Sequence, residues 1–157
     1  MAAKRILVVD DDSYVRGATE EILIRKGYEV DTAPEATSAL RKLEDRDYDL
    51  LLSDIKMPGM SGQELLESVK ARWPDMHVIL MTAHSTVEGA VEAMKKGAYD
   101  YIQKGSESTT LETELVVERA LKFQETEREN RRLRSELQGK YSFDSMIGKC
   151  HNMEKVF

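Results

Sequence analysis

The sequence predicts an α/β fold built on a parallel sheet, and three observations carry that prediction. Two short apolar runs, Ile6-Leu7-Val8-Val9 and Leu50-Leu51-Leu52, have no polar face, which suits central parallel strands buried on both sides. Stretches with helical spacing separate five strand candidates, and strand-helix alternation joined by right-handed crossovers gives a parallel sheet covered on both faces. Polar groups collect where the strands end: Asp10 and Asp11 after the first, Asp54 at the third, Thr82 at the fourth and Lys104 just past the fifth. In open α/β sheets those carboxyl ends are where ligands bind.

Taken in order, the first strand runs into Asp10-Asp11-Asp12, and a helix follows with Val15, Ala18 and Ile22 as its inward face and Gly27 as its stop. Tyr28 to Thr32 alternates as a strand, and Ala36, Ala39, Leu40 and Leu43 give the next helical face. The stretch from Asp49 to Gly59 then delivers Asp54 into a turn marked by Pro58 and Gly59. Alone, such an aspartate reads as a turn cap; the acids at the end of the first strand make it a candidate reactive group. Ser61 and Glu64 form a capping-box pair for a helix carrying Leu65, Leu66 and Val69, which stops before Pro74. His77 to Thr82 is the fourth strand. Ser85 and Glu88 repeat the capping box for a helix running through Val91 and Met94 to Gly97. Gly89 weakens that helix by about 1 kcal/mol relative to Ala. Ala98 to Ile102 is the fifth strand.

From about Leu111 the last helix meets no Gly or Pro before Gly139 and is dense in Glu, Arg and Lys, as in a linker helix or coiled coil. Spacing by seven picks out Val116, Phe123, Asn130 and Leu137, with Thr126 and Leu133 interleaved. An Asn at a seam position fixes register. A solvated single helix with i,i+4 ion pairs is the alternative.

At 157 residues the chain accommodates one domain plus an appendage. A formal charge of −6 and a pI near 5.2 argue against nucleic-acid binding by this chain, because counterion release needs clustered Lys and Arg. The one cysteine, Cys150, has no partner for an internal disulfide. The apolar run before Asp10 is too short for a signal-peptide core, and no segment approaches transmembrane length. A cytoplasmic chain without membrane contact is expected.

Three carboxylates brought together by neighbouring strand ends repel one another, and a hard divalent cation such as Mg²⁺ would hold them ionised. A carboxylate can also act as a nucleophile towards phosphorus, with the cation and a nearby ammonium, Lys104, neutralising charge on the transferred group. Thr82 supplies a hydroxyl donor.

Ile6 to Asp11 with Arg16, Asp54-Ile55-Lys56-Met57-Pro58-Gly59, Met81-Thr82-Ala83 and Tyr101-Ile102-Gln103-Lys104 together resemble the receiver domain of two-component response regulators, over residues 4 to 121. The resemblance implies a flavodoxin-like (βα)5 fold with strand order 2-1-3-4-5. It further implies Asp54 as phosphoacceptor, Asp11 as a direct Mg²⁺ ligand, Asp10 as a ligand through water, and the backbone carbonyl of Lys56 completing the protein's share of the shell. Thr82 and Tyr101 match the family's switch pair and Lys104 its phosphate-binding lysine, while Asp12 starts the first helix. The donor would be a sensor histidine kinase, and the domain a phosphoacceptor rather than an enzyme.

The tail carries a second resemblance. Glu127 to Leu133, followed by Phe143-Asp144-Ser145-Met146-Ile147-Gly148-Lys149, is similar to the junction where nitrogen-regulator-type activators enter their ATPase domain. Neither Gly-Lys pair has the upstream glycine of a phosphate loop, so the ATPase and DNA-binding domains are expected to lie outside this chain. The resulting division is a receiver over 1–121, a linker helix and coiled coil over 122–140 in a homodimer, and the start of an ATPase domain over 141–157. One departure stands out: Gly105 follows Lys104 where the family usually has a proline in a cis bond. A cis bond before a non-proline residue costs about 2.5–4 kcal/mol, so a trans bond is expected, with consequences for the aim of Lys104. The alternatives are a coiled-coil dimeriser independent of phosphate and a phosphatase of the haloacid-dehalogenase type. The latter would place a second Asp where Lys56 stands.

Overall fold

The computed structural model describes residues 3–83, 86–105 and 109–148, with side chains up to residue 137. Five strands alternate with five helices: β1 (Arg5–Val9), α1 (Ser13–Arg25), β2 (Glu29–Ala33), α2 (Ala36–Asp45), β3 (Leu50–Asp54), α3 (Gly62–Arg72), β4 (His77–Thr82), α4 (Val87–Lys95), β5 (Asp100–Gln103) and α5 (Thr109–Gly148). All strand pairs are parallel, in the order β2-β1-β3-β4-β5. This is the flavodoxin-like arrangement expected.

The apolar runs are buried on both faces because alternate residues of one strand serve different cores. Leu7, Val9, Leu51, Val78 and Leu80 pack against α2, α3 and α4, whereas Ile6, Val8, Leu50, Leu52, Ile79 and Ile102 pack with Leu23 of α1 and Val116, Val117, Ala120 and Leu121 of α5. Every residue of β3 is buried, including Ser53 and Asp54. Fully burying each such leucine stabilises the fold by about 1.5–3 kcal/mol.

Local signals placed several elements well. Ser61 and Glu64 form the reciprocal capping box at the start of α3, and Leu65, Leu66 and Val69 are its buried side. Ala36, Ala39 and Leu43 are buried on α2. Asp12 caps α1, its side chain accepting from the backbone N–H groups of Tyr14 and Val15.

Several expectations need correction. Fully buried on α1 are Thr19 and Leu23; Val15 and Ile22, on the same side of the helix, are half-buried, and Ala18 is exposed. Thr19 tolerates burial because its hydroxyl donates 2.8 Å to the Val15 carbonyl. Helix α4 is capped by Thr86, whose hydroxyl oxygen accepts from the Gly89 N–H; Ser85 lies outside the described residues. Val91 and Met94 face solvent, together with Val87, and the only buried residue of α4 is Ala93. Small residues set that helix close to the sheet and leave the larger ones outside. Finally, Val116 belongs to the core and not to a seam. Strands β2 and β5 also begin later than expected, at Glu29 and Asp100.

The chain divides into two compact units, Met1–Lys122 and Phe123–Phe157. Helix α5 does not stop at Gly139 but is described through to Gly148. Within the second unit the remaining heptad residues Phe123, Thr126, Asn130, Leu133 and Leu137 are all exposed. Residues 149–157, where the rest of the ATPase junction would fall, lie outside the described residues. Among the described residues no helix is long and apolar enough to cross a membrane.

Candidate phosphoacceptor site

The register of the sheet assembles the site. Strand β1 pairs with β3 so that Val9 lies beside Ser53, and Asp54 of β3 lies beside Met81 of β4. The residue that follows β1, Asp10, is thereby brought to Asp54, while Thr82 ends the neighbouring strand. One carboxylate oxygen from each of Asp10, Asp11 and Asp54 falls within a group whose members lie no more than 4.8 Å apart. Asp10 and Asp54 are buried and Asp11 is exposed, so the cluster has two inner walls and one outer one. These are hard oxygen donors at strand ends, a donor set that fits a magnesium ion.

Lys104 arrives from β5. The Lys104–Gly105 bond is trans and Gly105 adopts φ of +85°, a conformation that glycine takes at no steric cost. The Lys104 N–H donates 2.6 Å to the Thr82 carbonyl, and its Nζ lies 3.1 Å from Oδ2 of Asp10 and 3.1 Å from Oδ2 of Asp54. Substituting Gly105 for the family proline therefore leaves the lysine aimed into the cluster. Burial works against the Lys104 charge, but hydrogen bonds to the two carboxylates outweigh it and raise its pKa above the ordinary value. Burial also raises the Asp54 pKa; the Lys104 hydrogen bond opposes this, and the Asp10 and Asp11 charges add to it.

Two turns support these groups. Gly62 donates to the Ile55 carbonyl at 2.8 Å, and a Cβ built on it would lie 2.1 Å from the Asp54 carbonyl oxygen. The first turn of α3 thus rests on the backbone that carries Asp54. On the other side, Arg16 Nη1 donates 2.7 Å to the Asp10 carbonyl. Neither the Arg16 bond nor the contact of Gly62 follows from local periodicity, so the sequence shows Arg16 only as part of a pattern and does not mark Gly62 at all.

Thr82 and Tyr101 share one sheet face, because Tyr101 lies beside Leu80 and Thr82 is two residues further along β4. The Tyr101 hydroxyl reaches α4: a Cβ on Gly89 would lie 3.0 Å from it. Lys56 sits exposed in the loop just beyond β3. Five of the six side chains expected at the site (Asp10, Asp11, Asp54, Thr82 and Lys104) therefore lie at the carboxyl end of the sheet, and Tyr101 links that end to α4.

A parallel five-stranded sheet with acids and a lysine gathered at its carboxyl end defines a receiver domain of the response-regulator type. The family model of the response regulator receiver domain matches residues 6–116, and the chain belongs to that family. It is 38% identical over 152 residues to the DNA-binding transcriptional regulator NtrC of Salmonella typhimurium, covering 97% of this chain and 31% of the relative. The chain thus spans about a third of the length of such curated relatives. Among solved structures, NtrX from Brucella abortus superposes with a TM-score of 0.79 at 38% identity, covering 85% of this chain and 30% of that one. The beryllofluoride-activated NtrC4 receiver domain dimer gives 0.71 at 32% identity, covering 76% and 98%.

Proposed function

We propose that the chain is the phosphorylation-controlled regulatory domain of a longer transcriptional activator, and that Asp54 accepts its phosphoryl group from the phosphohistidine of a sensor histidine kinase. The observation that carries this reading is Lys104 Nζ at 3.1 Å from both Asp10 and Asp54, beside the third carboxylate, Asp11. A magnesium ion held by Asp10, Asp11, Asp54 and the main-chain carbonyl of Lys56 would neutralise charge on the transferred group. An Asp54 oxygen attacks phosphorus as the phosphorus–nitrogen bond of the donor breaks; with the donor ring protonated on its other nitrogen, the electron pair returns to the ring and it leaves as neutral imidazole. Lys104 and the Thr82 hydroxyl then donate to the phosphoryl oxygens.

The acyl phosphate adds about −2 charge and so a reason for Thr82 and Lys104 to close on Asp54. A hydrogen bond to a charged group supplies about 1.5–3 kcal/mol, whereas shifting a population from 1:99 to 99:1 takes about 5.5 kcal/mol. Thr82 alone is insufficient; Lys104, movement of the lightly anchored α4 through Tyr101, and a changed dimer contact supply the rest. The exposed Phe123, Leu133 and Leu137 support a homodimer through the second unit; the structural relative described as a receiver domain dimer supports dimerisation as such, through the receiver. The relatives' greater length, and their description as DNA-binding transcriptional regulators, support an output reached through ATPase and DNA-binding domains beyond the receiver; we assign the chain to the cytoplasm, where such an output would act.

The test is the intact mass after incubation with Mg²⁺ and acetyl phosphate. One phosphoryl adduct is expected, and none on Asp54→Asn; an adduct that survives the substitution, or no adduct on the parent chain, overturns the assignment.

A further inference from the structure

We infer that Arg16 is a positioning residue for the divalent-cation site, holding the turn between β1 and α1 so that Asp10 and Asp11 present their carboxylates to Asp54. The inference rests on the metal site proposed above and adds a residue to its support.

Arg16 meets both ends of a three-residue turn, one through its side chain and the other through the ordinary i→i−4 backbone bond that any residue here would make. Its guanidinium donates 2.7 Å to the Asp10 carbonyl, and its own backbone N–H donates 2.9 Å to the Asp12 carbonyl. The first bond has the short length of a charge-assisted contact. The rest of the turn is fixed around it. The Asp10 N–H donates to Ala33, the Asp12 N–H donates 3.0 Å to Asp10 Oδ1, and Lys104 occupies Asp10 Oδ2. Asp12 Oδ1 accepts from the N–H groups of Tyr14 and Val15. Asp11 lies between these two anchored residues and is itself exposed. Its aim is inherited from the main chain on either side, and of the bonds that hold that main chain, the one to the Asp10 carbonyl comes from a side chain outside the acidic run.

Charge and position predict opposite results, which makes the inference testable. A cation beside three acids competes with a metal, so by charge alone removing Arg16 should tighten metal binding. If Arg16 acts by holding the turn, its removal frees the Asp10 carbonyl and loosens the ligands. Loss of such an outer-shell partner typically costs 10–100-fold in metal affinity.

The experiment is calorimetric titration of the 157-residue chain with MgCl₂, alongside Arg16→Met and Arg16→Lys, with urea unfolding of each in EDTA. The expected result is a Kd for Mg²⁺ raised about tenfold in Arg16→Met. Arg16→Lys should recover part of that loss, because one ammonium can reach one carbonyl. The loss in affinity should exceed what the unfolding midpoints explain. An unchanged or lowered Kd in Arg16→Met overturns the role of Arg16 and leaves the metal site standing, whereas a parent chain that takes up no Mg²⁺ overturns both. Should Arg16→Met fail to fold, Arg16→Lys decides: an affinity equal to that of the parent chain overturns the inference, and a several-fold loss supports it.

Discussion

The ammonium of Lys104 lies 3.1 Å from Oδ2 of Asp10, a residue 94 positions earlier in the chain. It makes the same approach to Asp54, so a side-chain cation stands between two buried carboxylates where a metal ion would otherwise balance them.

Replacing Lys104 with Met should therefore separate metal binding from phosphoryl uptake. Without the competing ammonium, Mg²⁺ should bind several-fold more tightly by calorimetry. Without its charge, uptake from acetyl phosphate should slow by roughly a hundredfold. In EDTA the variant should lose about 1–3 kcal/mol of stability to urea, because two buried acids lose their partner, and added Mg²⁺ should restore it. Equal Mg²⁺ affinities in the two proteins would show that the lysine does not compete.

Gly62 offers a test by volume. A methyl group there would sit 2.1 Å from the Asp54 carbonyl oxygen, a backbone atom that cannot swing away. Gly62→Ala should cost about 1–3 kcal/mol in urea unfolding, as overpacked sites do. It should also slow phosphoryl uptake by displacing the turn that carries Asp54. A stable variant phosphorylated at the normal rate would mean that α3 can move without consequence for the site.

Gly89 meets two hydroxyls, those of Thr86 and Tyr101, each 3.0 Å from where a Cβ would stand. In an unobstructed helix Gly→Ala gains about 1 kcal/mol. With Tyr101 present that gain should be reduced or reversed, and in a Tyr101→Phe background part of it should return. The double-mutant cycle, read by urea unfolding, measures how strongly Tyr101 is coupled to α4. A coupling of zero would remove the link from β5 to that helix.

Tyr48 is buried, and its hydroxyl donates 2.5 Å to Asp31 Oδ2. Burial raises its pKa far above the ordinary tyrosine value, and Asp31 adds to the rise through the hydrogen bond and its charge, with Arg46 and Arg5 opposing. A folded pKa above the unfolded one means that the native state retains the proton longer. The stabilisation is thus complete below the unfolded value near 10 and is lost as pH rises from there towards the folded value. Tyr48→Phe should be less stable than the parent at pH 8 and should show a shallower decline above pH 10 in urea midpoints. Parallel curves would exclude Tyr48 as their source.

Leu133 tests the second unit. It is 46% exposed, in heptad relation to the exposed Thr126, and a charge at a seam position weakens a coiled-coil core. Leu133→Glu should lower the assembly mass by light scattering from dimer to monomer while leaving phosphoryl uptake intact. An unchanged mass would place any dimer contact elsewhere.

Local patterning was enough to place the strands, their order along the chain and the chemistry at their ends. The all-leucine segment of β3 has no polar face to expose, and the reciprocal pair Ser61 and Glu64 satisfies its own helix end, so both are local and legible. Tertiary structure alone decided which side of a helix faces inward when periodicity fits more than one answer. On α1 the fully buried residues are Thr19 and Leu23, with Val15 and Ile22 half-buried beside them and Ala18 left outside; Thr19 can be buried because its hydroxyl bonds to its own helix. On α4, Ala93 faces the sheet and leaves Val87, Val91 and Met94 outside. Tertiary structure also decided that Val116 joins the core, that Tyr48 meets Asp31, and that Arg16 reaches the Asp10 carbonyl. It kept Lys104 on target without a proline behind it. A periodic pattern fixes the kind of element through bonds a few residues apart; the facing of that element, and the meeting of residues as distant as 10 and 104, follow from packing the whole sheet at once.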